Sequence, residues 1–399
     1  MSLIRLLSRG QFAVYTAGNC ISLVGTWMQR IACSLVVWDM TQSAAWLGVL
    51  AAADLLPTIV VGPLGGAAAD RWNVLKLNQL CQFILAVIAT LVAALIYFDL
   101  LSLWTLIGAI LFQGCIIALG QPARMTIVQE LVSRDDVPRA VAINSMNVNL
   151  ARLIGPALAG LLIVQFDVVW VFVLNAIATI VFVLVLHRMK APMAGLKDQP
   201  VGNFLIEIVE GFRYVASNRG MRRMLLLLLA GGIFVRAIAE MLPAFAAGFS
   251  GPAATGLAVL TSSMAFGSVT AGLTMNLYIV PSKLPIQVTM AWLLAALTAI
   301  AFALSHSLWL MALFAAAMGY LSSVSLVATQ TYIQLAAPAG LRGRALSIHG
   351  LIFRASPSLG AMILGFTSDV FGLTMPVLAS AAVMIAIVGL IGLSSCSSK

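Results

Sequence analysis

The amino-acid sequence predicts an all-α integral membrane protein, with twelve transmembrane helices forming two pseudo-symmetric six-helix bundles around a central cavity. One observation is composition: 62% of the 399 residues are hydrophobic and 9% are charged, whereas soluble domains carry roughly 25% charged residues. A second is a series of apolar runs of membrane-spanning length, and a third is an internal repeat. Together they predict a chain that lies almost wholly within a lipid bilayer.

Each predicted helix is an apolar run of about 20 residues, the length that crosses the hydrocarbon core of a bilayer. The first run is too long for a cleavable signal peptide, and none is predicted before it. The predicted spans are 12–38, 45–68, 77–98, 101–123, 139–165, 168–188, 223–248, 253–277, 285–304, 307–332, 343–368 and 373–394.

The basic residues predict how the spans are oriented. If the N-terminus is cytoplasmic, 18 of the 22 lysines and arginines fall in segments on the cytoplasmic side, and Arg124 is one of them. The other four lie inside the predicted spans. Cytoplasmic loops are enriched in Lys and Arg, so both termini are predicted to face the cytoplasm from a cell inner membrane. The net charge of +9 is then a topology signal, and nucleic-acid binding is not predicted. The turns on the other side carry Asp39, Asp99, Asp167 and Asp369.

An internal repeat relates the two halves of the chain. It predicts a bundle at 1–190, a cytoplasmic linker at 191–222 with a short surface helix around 203–218, and a second bundle at 223–399. A shift of 205 residues superposes Gly114 on Gly319, Gln129 on Gln334, Arg139 on Arg344, Gly155 on Gly360, and Gly160 on Gly365.

Three stretches carry a family resemblance. The loop after span 2 reads GPLGGAAADRW, spans 4 and 5 contain QPARMTIVQELVSRDDVPRAVAINSMNVNLARLIGPALAG, and span 11 contains LRGRALSIHGLIFRASPSLGAMILG. They resemble the major facilitator superfamily, in the branch that contains the enterobactin exporter and macrolide efflux proteins. The resemblance implies a secondary transporter that works by rocker-switch alternating access, in the export direction. Ile110 stands where related drug–proton antiporters often carry an arginine, so that coupling residue is not carried over.

The same resemblance implies gating residues. A carboxylate is favoured near the positive end of a helix, so Asp70 at the end of span 2 is expected to latch onto the start of span 11; the alternative is a charge that only fixes topology. Gly66 is expected to allow close helix approach. Glycine and proline in span 5 either bend the helix for antiport or simply pack it closely. The predicted gating set is Gly66, Asp70, Arg71, Gly155, Pro156, Gly160, Arg342 and Arg344.

Six charged residues lie deep inside predicted spans. Four are arginines and two are carboxylates, and an arginine cannot shed its proton to avoid the cost of burial. The excess of positive charge predicts a cavity that receives an anion, because the planar guanidinium suits carboxylate or phosphate groups. The alternative is a set of buried ion pairs that fix helix register. The six are Arg30, Arg152, Arg236, Arg354, Asp54 and Glu240.

Helical spacing groups these charges with polar residues. Thr16 and Asn19 share a stripe of span 1 with Arg30, and Asn149 shares one of span 5 with Arg152; both stripes are predicted to be exposed to water. Arg236 and Glu240, four residues apart, are close enough to pair. Arg152 is expected to meet Asp54, with Arg30 as a second partner for that carboxylate. The predicted substrate-binding residues are Arg30, Arg152, Arg236, Arg354, Asn19, Asn149, Gln113 and Gln330.

The predicted function is a proton-coupled exporter of a small anionic metabolite such as a siderophore, acting as a monomer without cofactor or metal. Asp54, Glu240 and His349 are the candidates for carrying the proton, since a buried carboxylate beside an arginine is poised between charge states. No nucleophile–base arrangement or phosphate-binding loop predicts an enzyme or an ATP-driven pump. One alternative is a macrolide or multidrug efflux pump. Another is a membrane sensor or assembly partner that does not transport.

Overall fold

Helices make up almost all of the computed structural model, which describes residues 10–189, 212–249, 251–277 and 280–396. Within these residues, twelve helical stretches are long and apolar enough to cross a membrane, so the predicted number is confirmed. They are α1 (Gln11–Thr41), α2 (Ala44–Arg71), α3 (Val74–Tyr97), α4 (Leu103–Glu130), α5 (Val137–Gln165), α6 (Val168–Arg188), α7 (Arg219–Ala247), α8 (Ala253–Thr274), α9 (Leu284–Ala303), α10 (Leu308–Ala336), α11 (Ala339–Phe371) and α12 (Thr374–Cys396).

Several helices continue past the apolar runs that predicted them. The 33 residues of α11 extend about 50 Å at 1.5 Å per residue, well beyond a hydrocarbon core of roughly 30 Å. Backbone hydrogen bonding does not stop where the side chains become polar, so Arg342 and Arg344 lie in the first turns of α11 and Arg124 lies in α4 rather than in loops. The backbone oxygen of Arg124 accepts a hydrogen bond from Tyr15 at 3.3 Å, and its guanidinium lies 5.6 Å from the Phe182 ring.

Polar side chains begin several of the helices. Asn73 accepts hydrogen bonds from the backbone of Leu75 and Lys76 at the start of α3, and Ser102 forms a capping box at the start of α4. Asp167 caps α6 in the same way, through the backbone N–H of Val169. Each cap satisfies N–H groups that the first turn of a helix leaves without partners. Asn73 therefore has a local structural role at the start of α3.

The seventh span is interrupted rather than continuous. An α-helix ends at Phe234, a 3₁₀ segment runs over Arg236–Met241, and a short α-helix follows at Leu242–Ala247. Pro243 accounts for part of this, because proline has no N–H to bond back along a continuous α-helix. The segment that holds Arg236 and Glu240 therefore turns once every three residues instead of every 3.6, and the pairing of these two residues stays a prediction.

The chain forms two compact units. The first comprises Met1–Met40, Ala53–Asp198 and Gly251–Ala258, and the second comprises Thr41–Ala52, Gln199–Ser250 and Val259–Lys399. The start of α2 thus belongs to the second unit and the start of α8 to the first. Most of the predicted linker lies outside the described residues. In the part of it that the structure describes, residues 212–217 are helical and precede α7. The predicted bundle boundaries at 190 and 223 stay predictions.

Aromatic side chains lie in the core of each unit. In the first, the rings of Tyr15 and Phe182 meet edge to face with centroids 5.6 Å apart. In the second, Phe245 and Phe302 do so at 5.1 Å, and Trp292 is fully buried. These contacts fix α1 against α6 and α7 against α9, and thereby position the helices that carry the buried charges.

Candidate functional site

Three of the predicted site residues meet around one tryptophan in the first unit. The guanidinium of Arg152, on α5, lies 4.8 Å from the centroid of the Trp27 ring, and that of Arg30, on α1, lies 5.7 Å from it. An Arg30 nitrogen also lies 2.5 Å from a carboxylate oxygen of Asp54, on α2. We call Trp27, Arg30, Asp54 and Arg152 the tryptophan cluster. Positive charge over an aromatic face is stabilising, so Trp27 offsets part of the cost of holding each of these two cations in a membrane-spanning helix.

The ion pair of the tryptophan cluster is reachable from outside the protein. The side chains of Arg30 and Asp54 are 41% and 39% exposed, so a ligand can compete for either of them. Of the two expected partners for Asp54, the second, Arg30, makes the direct contact. Trp27 was not predicted as a site residue, although it precedes Arg30 by three positions, a spacing that places both side chains on one face of a helix.

A glycine sets the distance between α1 and α5 at this cluster. A Cβ atom added at Gly155 would lie 2.6 Å from the Cβ of Trp27, closer than any side chain tolerates. The glycine therefore lets Arg152, one turn earlier on α5, approach the Trp27 ring. Asn149, a further turn back, is exposed, in agreement with the predicted stripe on α5.

Two residues of the polar stripe on α1, Thr16 and Asn19, are not exposed as predicted, whereas Arg30 on the same stripe is. Thr16 is 7% and Asn19 is 1% exposed, because both face α5. Asn19 donates to the side chain of Asn144 at 3.2 Å, and Asn147 donates to the backbone oxygen of Thr16 at 3.1 Å. Periodicity identified the correct face of α1, but a polar face satisfied by another helix looks the same in sequence as one that faces water.

A second amide network holds α1 against α4 and α6. Gln29, 2% exposed, donates to the side chain of Gln113 at 2.7 Å and accepts from Asn175. Thr179 donates in turn to Asn175 at 3.4 Å. Gln113, predicted to bind substrate, therefore forms a hydrogen bond across helices, and its role in binding stays a prediction.

In the second unit, an arginine is held by the backbone of a neighbouring helix. Arg236, in the 3₁₀ segment of α7, donates to the backbone oxygen of Phe353 on α11 at 2.9 Å. Its guanidinium lies 4.1 Å from the Phe353 ring centroid. Arg354 and Gln330 are exposed, Glu240 is partly buried, and His349 is 6% exposed. We call Arg236 and Phe353 the phenylalanine clamp.

The family model described as transmembrane secretion effector matches residues 2–397, almost the full chain. The chain belongs to this family of the major facilitator superfamily. Its relatives and structural neighbours are transporters rather than enzymes.

The similar proteins in this superfamily include siderophore and drug transporters. The chain is 25% identical to the enterobactin exporter EntS of Salmonella typhi, over 92% of this chain and 87% of that protein. It is 23% identical to the staphyloferrin A transporter of Staphylococcus aureus, over 90% of each. It is 21% identical to macrolide efflux protein A of Streptococcus pyogenes, over 67% of this chain and 66% of that protein.

A solved structure of a bacterial homologue of the human lysosomal transporter Spinster has the same fold. It superposes with a TM-score of 0.76 at 16% identity, covering 96% of this chain and 95% of that one. The major facilitator fold predicted from the sequence is confirmed.

The family's gating motifs can now be placed on the helices. Asp70 and Arg71 are exposed at the end of α2. A Cβ atom added at Gly66 would meet nothing within 4 Å, whereas one at Gly65 would lie 2.5 Å from the backbone oxygen of Ala118 on α4. The close approach expected at Gly66 therefore occurs at Gly65. Consecutive residues point about 100° apart around a helix, so only one of the two faces α4. The latch between Asp70 and α11 stays a prediction.

The remaining gating candidates lie in α5 and α11. Pro156 is buried within α5, and a Cβ atom added at Gly160 would collide with Ala258 of α8, which belongs to the same unit. Gly160 therefore allows close packing of α5 against α8, and its role in gating stays a prediction. At the start of α11, Arg342 is exposed and Arg344 is partly buried.

Proposed function

We propose that this protein is a secondary active transporter that exports a small anionic metabolite across the inner membrane, with a siderophore as the specific candidate. It works as a monomer, by alternating access, with both termini in the cytoplasm. The observation that carries the proposal is the tryptophan cluster, which brings two guanidiniums together beside one ion-paired carboxylate. Two siderophore transporters among the relatives support the same class of cargo.

The chemistry of the cluster favours an anion. A guanidinium stays charged and presents a planar fork of donors that matches a carboxylate or another group with two neighbouring oxygens. The cluster has two guanidiniums and one carboxylate, so an anionic group arriving beside Arg30 and Arg152 gains more than a neutral one. Arg354, Asn149 and Gln330 are proposed as further binding residues.

The Arg30–Asp54 pair also links cargo to protons. A cargo oxygen that takes over the donors of Arg30 displaces the carboxylate of Asp54 from its cation, so cargo and Asp54 compete for one guanidinium. Asp54 is therefore proposed to carry the coupling proton, with Glu240 and then His349 as further candidates.

Metabolite profiling is the experiment that tests the cargo. Cells lacking the gene, grown under iron starvation, are expected to retain an anionic metabolite that wild-type cells secrete, measured by mass spectrometry of cells and medium. Arg152→Gln should reproduce the retention, with export reduced about 10- to 100-fold, the value of one or two hydrogen bonds to a charged group. The matched control is Arg134→Gln, at an exposed arginine before α5. Unchanged siderophore secretion in the deletion strain would rule out the siderophore.

A macrolide or multidrug pump is the second candidate, favoured by the macrolide efflux relative. Macrolides with an amino sugar are cations, and a cluster with more arginines than carboxylates repels them. The two candidates separate in a susceptibility assay. Loss of the gene should leave macrolide susceptibility unchanged if the cargo is an anion, and should raise it severalfold if the protein is a drug pump.

A further inference from the structure

One outer aspartate caps a helix that lies more than 300 positions earlier in the chain. Asp369, near the end of α11, accepts a hydrogen bond from the hydroxyl of Ser43 at 2.5 Å. Its other oxygen accepts from the backbone N–H of Ala44 at 2.7 Å and of Ala45 at 3.4 Å. These N–H groups are the first two of α2, and both segments belong to the second compact unit. Asp369 thus supplies the cap that a local side chain usually provides.

The helices touch backbone to backbone beside this cap. A Cβ atom added at Gly48 of α2 would lie 2.6 Å from the backbone oxygen of Ala361 on α11, and one added at Gly365 would collide with the backbone of Ala44. Ala44, Leu47 and Ala361 are at most 3% exposed. Small residues let helices in a membrane approach this closely, and the close approach is what brings one carboxylate within reach of two backbone N–H groups.

Two of the aspartates predicted on the outer side cap helices in different ways. Asp167 accepts from Val169 and so caps its own helix, as a local topology marker would. Asp369 reaches a different helix and is itself exposed to solvent. A charge–dipole contact that water can enter is weakened by competing hydrogen bonds and salt, and for that reason it can open without leaving a buried charge behind.

We propose that Asp369 is a latch that holds the outer ends of α2 and α11 together and must release for the transporter to change state. The proposal rests on transport by alternating access, as proposed above. It mirrors the expected inner latch: Asp70 ends α2 and is expected to meet the start of α11, whereas Asp369 ends α11 and meets the start of α2. If the Asp70 latch and the Asp369 latch engage in turn, α2 is held at one end in one state and at the other end in the other state. The movement of α2, which carries Asp54, is then coupled to the change of state.

The first test locks the contact covalently. Ser43→Cys and Asp369→Cys are combined, membranes are oxidised, and secretion of the retained metabolite is measured with and without reductant. Cross-linked protein is expected to lose export at least 10-fold and to regain it on reduction, while each single variant keeps export under the same oxidant. Cross-linked protein that exports as fast as the single variants would overturn the latch.

The second test needs no cargo. Ala45→Cys is labelled with a membrane-impermeant maleimide, in sealed vesicles of both orientations. Adding Asp369→Asn should raise the labelling rate about 2- to 10-fold, the range expected for losing a charge at a helix N-terminus, and Asp369→Ala should raise it further. Asp167→Asn is the matched control and should change nothing. An unchanged rate in both Asp369 variants would refute the latch even where export is normal. If unmodified protein exports no metabolite while the rates rise as expected, the proposed function fails and the latch stands.

Discussion

The tryptophan cluster and the phenylalanine clamp join equivalent pairs of helices in opposite ways. In the first repeat, the arginine is on the fifth helix and the aromatic ring on the first: Arg152 lies 4.8 Å from Trp27. In the second repeat the arginine is on the first helix and the ring on the fifth: Arg236 lies 4.1 Å from Phe353. The same type of contact is thus kept across the repeat although the two residue types have exchanged helices.

The tryptophan cluster contains a second arginine, Arg30, and this residue differs from Arg236 in the group that accepts its hydrogen bond. Arg30 of the tryptophan cluster meets the carboxylate of Asp54, which can bind a proton or lose its cation to a competing anion. Arg236 meets the backbone oxygen of Phe353, which can do neither. We infer that the Arg30–Asp54 contact can respond to cargo, whereas the Arg236–Phe353 contact holds an arginine in place where α7 is interrupted.

The largest expected effect comes from replacing each of two arginines by methionine, which separates the two roles. Arg30→Met should reduce export about 10- to 100-fold, since it removes charged hydrogen bonds to cargo, and should change thermal stability little because the residue is exposed. Arg236→Met should instead lower the free energy of unfolding by about 1–3 kcal/mol, because the partly buried carbonyl of Phe353 loses its donor. Metabolite export in cells and thermal unfolding of the purified protein measure the two.

Arg213→Met, at an exposed arginine outside the twelve spans, is the matched control and should change neither quantity. The comparison fails if Arg236→Met abolishes export while the protein unfolds at the wild-type temperature. In that case Arg236 binds cargo directly, as its place among the predicted substrate-binding residues suggests.

Some of this site could be predicted from sequence and some could not. An arginine inside an apolar run stands out because lipid makes its charge costly, so Arg30, Arg152 and Arg236 were found. Trp27 was missed because a tryptophan in such a run resembles any lipid-facing residue. Spacing could not show that Asn19 faces α5, since that depends on how helices pack. The interruption of α7 had a visible signal in Pro243, which the length of the apolar run concealed.

A smaller effect comes from the glycines that let these helices approach. A Cβ atom at Gly155 would lie 2.6 Å from Trp27, and one at its repeat equivalent Gly360 would lie 2.7 Å from the Cβ of Ala237 on α7. Gly155→Ala and Gly360→Ala should each destabilise the protein by about 1–3 kcal/mol through overpacking. Only Gly155→Ala is expected to reduce export beyond the loss of folded protein, because it displaces Arg152. Gly66→Ala, where a Cβ meets nothing within 4 Å, is the control and should be neutral or slightly stabilising.

The smallest effect concerns the rings themselves. Trp27→Phe keeps an aromatic face but weakens its attraction for cations by about 0.5–1 kcal/mol, so export should need a severalfold higher cargo concentration for half-maximal rate, with unchanged stability. Phe353→Leu should lower stability by a similar amount and leave that concentration unchanged, because Arg236 keeps its bond to the backbone oxygen at residue 353. Concentration dependence of uptake into inside-out vesicles and thermal unfolding measure the two. If Phe353→Leu alone raises the cargo concentration needed for half-maximal rate, the assignment is reversed, and the phenylalanine clamp is the contact that responds to cargo.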